Sequence, residues 1–355
     1  DPRAGVHEKP GYRVEPFVTG FIETKPGPAP RVATALSLRD RLGAAAVRSG
    51  IGRGGYKVVP GLYCVGEPGP DAPVLVTANY KLTFDAVRAA LAGENVWLLV
   101  ADTRGVNVWC AAGKGLFSTD EVAHAVRASR LSEVVSHRDL ILPQLSATGV
   151  AARGLRRRCG FGASFGPIRA VDLPAFLRAG KADEAMRSVT FTLKERAELI
   201  PVELYLLGKP LAIFLAAAFL LAGIGPDVFS PGAAWTRGLA AALATLLGIA
   251  AGDVIVPLAL PRLPLRHFAL KGALSGAVLG IANLLGPGTA WDLPALWLWT
   301  VTLAAWLAMN FTGSTPFTSP TGVEREMRRA LPVMALAALA AAALWLAAPF
   351  LGRGA

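Results

Sequence analysis

Charge is what this chain has least of. Asp, Glu, Lys and Arg make up 17% of its 355 residues against 53% hydrophobic ones, with a mean hydropathy of +0.45; an ordinary soluble domain carries roughly 25% charge. That balance excludes a disordered or fully solvated chain. Cysteine is scarce too. Cys64, Cys110 and Cys159 form no CxxC pair and no even set, which excludes a disulfide framework and a cysteine-held zinc or iron–sulfur site and fits a reducing, cytosolic setting. No charged-then-apolar leader follows Asp1, so a secretory signal is not expected. Nothing in the chain matches a nucleic-acid recognition motif, and no nucleic-acid partner is expected.

The charge that is present lies mostly in one half. Residues 210–355 hold only eight basic and five acidic side chains of the 36 and 25 in the chain, so two domains meeting near Pro201–Pro210 are expected. An apolar stretch of about 20 residues crosses a bilayer core. Five stretches approach that length: Pro210–Gly225, Gly238–Val256, Phe268–Leu285, Leu293–Phe311 and Leu331–Leu351. Cytoplasmic loops carry the excess of Lys and Arg, and Arg262, Arg266, Arg325, Arg328 and Arg329 fall in the second-to-third and fourth-to-fifth connections. Residues 1–209 are then cytoplasmic, and the chain is a multi-pass protein of the inner (cytoplasmic) membrane. Asp253, Lys271 and Asn283 are too sparse for a proton relay, so the spans read as an anchor bundle with Ala and Gly at helix contacts.

Residues 1–33, rich in Pro and Gly, read as an irregular N-terminal arm. Thr34–Arg48 has helical spacing, and a glycine cluster at Ser49–Tyr56 breaks it. Val74–Thr77 and Val96–Asp102 read as buried strands around a helix at Thr83–Ala92. Ser118–Ser129 reads as a helix opened by a capping box of Ser118 and Glu121. Short elements follow at Asp139–Leu142 and Ile168–Val171, with a helix at Pro174–Ala179. Strands alternating with helices predict a three-layer α/β domain with a mainly parallel sheet, whose ligands bind beyond the carboxyl ends of the strands.

The stretch Asn107–Gly115, NVWCAAGKG, sits in a loop at such an end. It is not a phosphate loop, because Gly113-Lys114 is followed by Gly115 and Val108 stands where the first glycine belongs. No base and orienter pair with Cys110 by spacing, although His124 and His137 lie downstream. An isolated cysteine is ordinarily an inert small hydrophobe. Here NVWCAAGK resembles the cap-helix signature of the HgcA family, the membrane-anchored corrinoid proteins of mercury methylation. The soluble half also resembles the corrinoid-binding domain of the corrinoid iron–sulfur protein. The similarity runs through Tyr56–Gly66, Pro73–Asp85, Val100–Thr119, Leu140–Ala152 and Phe165–Leu177, and for the anchored family also through the spans and the loop Asn310–Met327.

The resemblance implies an α/β Rossmann-like corrinoid-binding domain over 34–200, followed over 201–355 by an all-α transmembrane domain of about five helices. The implied cofactor is cobalamin or a related corrinoid, base-off, with its cobalt ligated by Cys110. The implied reaction is methyl transfer to Hg(II), giving methylmercury. A corrinoid methyl carrier for another acceptor in one-carbon metabolism and a non-catalytic membrane corrinoid-binding protein are the alternatives. The four-cysteine cluster segment of the soluble relative is missing, and no histidine stands in a DxHxxG context. An outside electron donor, a ferredoxin-like iron–sulfur protein of the HgcB type, is therefore implied, with a methyl-donor system and membrane lipid as further partners. Cofactor contacts are implied for Thr77, Asn79 and Thr83, for the run Asn107, Val108, Trp109, Cys110, Ala111, Ala112, Gly113 and Lys114, and for Leu142, Gln144, Ala147, Thr148 and Gly149. Each has an ordinary alternative: Asn107 donates a hydrogen bond near the sulfur or serves as a turn or cap residue, and Trp109 walls the macrocycle or is core. Lys114 reads first as solvated charge, and so does the run Arg156–Arg158, whose alternative is contact with anionic lipid heads or an acidic ferredoxin.

Overall fold

The computed structural model describes residues 14–317 and 320–351. It divides into a first unit that runs to Val189 without Arg48–Gly50, and a second made of those three residues and the chain from Thr190 onward. The seam thus precedes the boundary expected at 200–201. Phe191 and Leu199 explain it, since both pack with Val256, Phe268 and Phe311 of the second unit.

The strands of the first unit are β1 (Val18–Ile22), β2 (Ala29–Val32), β3 (Gly61–Val65), β4 (Val74–Ala78), β5 (Val96–Ala101), β6 (Asp139–Leu142) and β7 (Gly162–Phe165). They form one sheet in the order β1-β2-β3-β5-β4-β6-β7. From β5 to β7 every pairing is parallel, while β3 runs antiparallel to β5 and β1 to β2. Every residue of β4 and β5 is buried, as expected of strands covered on both faces. The helices are α1 (Leu38–Arg48), α2 (Lys81–Ala90), α3 (Val108–Gly113), α4 (Thr119–Ala128), α5 (Ala152–Cys159) and α6 (Leu173–Ala179). One face of the sheet, with Val74, Val76, Leu99 and Leu140, packs against α3, α4 and Leu155 of α5. The other, with Leu75, Leu98 and Val100, packs against Phe84 of α2 and Leu173 of α6. At about 1.5–3 kcal/mol for each large apolar side chain removed from water, these two layers dominate the unit's stability.

Two expectations are corrected. The segment read as an irregular arm supplies β1 and β2 where it is described, residues 1–13 lying outside the described residues. Its Pro-rich sequence is compatible with a sheet margin, and β2 meets β3 only where Arg31 opposes Cys64. The last strand is Gly162–Phe165 rather than Ile168–Val171. Gly166 donates the final ladder bond to the Leu142 carbonyl at 2.8 Å, and Pro167, lacking an N–H, cannot continue it.

Ser37 and Asp40 trade hydrogen bonds that start α1 at Leu38. Asp40 then joins a half-buried to buried charge network. Lys81 Nζ lies 2.6 Å from both Asp40 and Asp85, and Arg88, fully buried, reaches Asp85 at 2.8 Å and Asp40 at 2.9 Å. Burial opposes ionisation of Asp40, but hydrogen bonds from Lys81 and Ser37 outweigh it and hold the carboxyl well below its usual range.

Among the described residues the second unit has five helices long and apolar enough to cross a membrane: Leu193–Ala222, Pro231–Arg262, Phe268–Leu285, Leu293–Phe311 and Thr321–Leu351. The fourth is gripped from two sides. A Cβ at Gly272 or Gly276 would strike its backbone near Ala304, and one at Gly252 would strike Leu307, the close approach that small residues permit. Three polar side chains are tied to neighbours. Asn283 donates to Thr300 Oγ1 at 3.2 Å, Lys271 donates to the Leu260 carbonyl at 3.0 Å, and Arg237 pairs with Asp292 at 3.0 Å. Part of the Asn310–Met327 loop, residues 318–319, lies outside the described residues.

Candidate functional site

The carboxyl end of β5 turns sharply, with Arg104 and Gly105 at φ 57° and 74°. Asn79, at the end of β4 and buried, fixes this turn. Its Oδ1 accepts from the Thr103 N–H at 3.0 Å and the Gly105 N–H at 2.9 Å, and its Nδ2 donates to Asp102 Oδ1 at 3.0 Å. Asn79 is thus engaged within the chain and positions the turn. On α4, Ser118 Oγ accepts from the Glu121 N–H at 3.2 Å as the capping box requires. The Glu121 carboxylate, however, turns inward to accept from the Asp102 N–H at 3.0 Å. Spacing alone could not reveal these two supports, because both act across elements distant in sequence.

The turn delivers Asn107 as the cap of α3, a helix within the stretch whose residue pattern read as a loop. Asn107 Oδ1 accepts from the Cys110 N–H at 2.9 Å; of its two expected roles, the cap is the one formed. Val108, Ala111 and Ala112 face the core, while Trp109, Cys110, Gly113 and Lys114 face outward. Trp109 is 44% exposed, which removes the core alternative. Cys110 is exposed, Cys159 is half-buried, and Cys64 is buried with its thiol pushed up to about 11 by loss of solvent. The outward soft donor is Cys110.

The loop after β6 closes beside α3. A Cβ at Gly149 would run into the Phe117 carbonyl and the backbone of Ala112, so the chain passes here with no side chain to spare. Gln144 and Gly149 are half-buried, and Ala147 and Thr148 are exposed. Leu142 is fully buried in the core. Thr77 is buried on the face of Leu75, opposite the face that carries α3, and its hydroxyl makes no hydrogen bond. Thr83 is half-buried on α2, which also covers that opposite face. The structure therefore assembles Trp109, Cys110, Gly113, Lys114, Ala147 and Thr148 as an open surface. It keeps Asn79, Val108, Ala111, Ala112 and Leu142 beneath.

Other donors are committed elsewhere. His137 Nε2 lies 2.9 Å from the Ala72 carbonyl, and its Nδ1 accepts from the Asp139 N–H at 3.2 Å. His124 lines a cavity of about 480 Å³ with Pro60, Leu62, Asp102 and Glu121. Among the described residues no group of three or more His, Cys, Asp or Glu side chains is placed to hold a metal ion.

Residues 52–154 match the family model described as CdhD, CO dehydrogenase/acetyl-CoA synthase delta subunit. Among similar proteins is the acetyl-CoA decarbonylase/synthase complex subunit gamma of Archaeoglobus fulgidus, 37% identical over 93 residues, 26% of this chain and 20% of that protein. The subunit gamma of Methanopyrus kandleri is 34% identical over 124 residues, 34% of this chain and 26% of that protein. That of Methanocaldococcus jannaschii is 38% identical over 93 residues, 26% of this chain and 19% of that protein. The chain thus spans a quarter or less of the length of most such relatives. The matched region contains β3 to β6, α3 and Gly149.

Proposed function

We propose that the first unit binds a corrinoid over the outward face of α3 and that the chain is a membrane-anchored corrinoid methyltransferase. The observation that carries this is Cys110, an exposed thiol at the centre of a capped helix beyond the carboxyl end of the sheet. The residues suit the group. Gly113 leaves the helix surface without bulk, exposed Trp109 offers a flat apolar wall, and Ala147 and Thr148 leave the neighbouring loop low. Cys110 would hold the cobalt through its sulfur, and the loop Leu142–Gly149 would receive the nucleotide tail. When bound, the corrinoid supplies a metal that takes up a methyl group and passes it on. A thiolate is a soft, electron-rich donor, which would suit giving up a methyl group as a carbanion or a radical to a soft acceptor. Three dispersed cysteines leave the reducing electrons to an outside ferredoxin-like iron–sulfur protein.

Two acceptors follow from different observations. The soft Cys110 thiol and the resemblance of the spans to the membrane-anchored family favour Hg(II), and the first unit would then lie on the cytoplasmic side of the membrane. The names of the relatives speak more directly for a one-carbon acceptor of the acetyl-CoA kind. The test is anaerobic: the full chain loaded with methylcobalamin is offered Hg(II) or a one-carbon acceptor, beside Cys110→Ala and free methylcobalamin. Methylmercury formed well above both controls supports the first acceptor, and transfer that ignores Hg(II) supports the second. Failure to bind a corrinoid, or cobalt spectra unchanged in Cys110→Ala, removes the proposal.

A further inference from the structure

Helix α1 is inside out. At about 100° per residue, Asp40, Gly43 and Val47 share one side and Leu38, Leu42 and Ala45 the other. The inward side is the polar one. Asp40 pairs with Lys81 at 2.6 Å and Arg88 at 2.9 Å, Gly43 abuts the Tyr56 ring, and only Val47 is buried. The outward side is apolar, with Leu38 72% and Leu42 63% exposed, and Ile51, just past the helix, 56% exposed. Arginines flank it: Arg39, Arg41, Arg48 and, beyond the helix, Arg53 are all exposed. The single acidic residue of α1 is the one turned inward. An apolar stripe between arginines, with no outward carboxylate, has the chemistry of a helix lying in a headgroup layer.

The helix ends in residues that cluster with the second unit. Arg48, its last residue, belongs to the second unit, where its Nε lies 3.7 Å from Glu198 Oε2 in the helix Leu193–Ala222. Gly50, in the same unit, lies against the Tyr205 ring. We propose that the outward face of α1, with Ile51, rests on an anionic bilayer surface. A second copy fits less well, because a two-fold contact would set the flanking arginines against one another. The inference rests on the reading that the five helices cross a membrane.

The test uses the full chain in vesicles of phosphatidylethanolamine and phosphatidylglycerol, with a photoreactive diazirine amino acid at position 42, 51, 171 or 339. Leu339, exposed on the fifth span, reports the membrane itself, and Val171, exposed on the first unit, is the solvent control. Lipid adducts at 42, 51 and 339 with none at 171 are expected. Adducts at 339 without any at 42 or 51 overturn the inference and keep the membrane reading, whereas absence at 339 removes both. Cross-linked dimers through 42 assign the face to a second copy and overturn the lipid. Adding Leu38→Asp and Leu42→Asp should abolish the adduct at 51 while corrinoid binding persists, since neither side chain enters the core; an unchanged adduct refutes the contact.

Discussion

Replacing Asn107 by Ala tests how the site is built. A helix of six residues cannot sustain itself. α3 is held by the burial of Val108, Ala111 and Ala112 and by one side-chain cap, Asn107 Oδ1 on the Cys110 N–H at 2.9 Å. Removing such a cap costs about 1 kcal/mol, within a range of about 0.5–2. If the corrinoid binds only to formed α3, the apparent Kd rises as the inverse of the fraction still formed, by up to about fivefold for about 1 kcal/mol and at most about thirtyfold for about 2 kcal/mol. Titration of the full chain with cobalamin, followed by absorbance, reads this directly. Asp and Ser cap as well as Asn does, so Asn107→Asp and Asn107→Ser should bind within about twofold of wild type. If both weaken as much as Asn107→Ala, the amide acts as a donor to the sulfur or cofactor and the cap argument fails.

Gly149→Ala places a methyl group against the Phe117 carbonyl and should cost about 1–3 kcal/mol; a lowered thermal midpoint with weakened cobalamin binding is expected, and an unchanged variant would refute the close packing of loop on helix. Arg88→Met leaves the buried Asp85 to Lys81 alone and loosens Asp40, so a loss of up to about 3 kcal/mol is expected in denaturant titrations. Asp40 is held below its usual range by Lys81 and Ser37; its stabilising contribution is complete above about pH 4 and is lost as pH falls through the folded value, so the thermal midpoint should drop on acidification, and less steeply in Asp40→Asn. Near about pH 9, where the Cys64 thiol, raised to about 11, stays protonated, maleimide should modify Cys110 first and Cys64 last. Bound corrinoid should protect Cys110, and equal rates at the two cysteines would refute the assigned exposure.

Local pattern determined much of this protein. Periodicity and continuous apolar runs place β4, β5, α2 and α4 within a few residues of where they stand, because strands buried on both faces and amphipathic helices carry their environment in their own residues. The five apolar helices were legible for the same reason, and Cys110 stood out by the residues around it. Tertiary structure decided the rest. β1 at the sheet edge and β2 beside it are only partly covered and lie in a Pro-rich segment, so nothing in their composition sets them apart from a loop. α3 is too short for periodicity to mark, and a single cap bond and three buried side chains make it a helix. Asn79 and Glu121 acquire their roles across 24 and 19 residues of chain, and α1 turns its one carboxylate inward because Lys81 and Arg88 await it there. Hydrogen bonds and ion pairs between distant residues leave no period in a sequence; they exist only once the layers have packed.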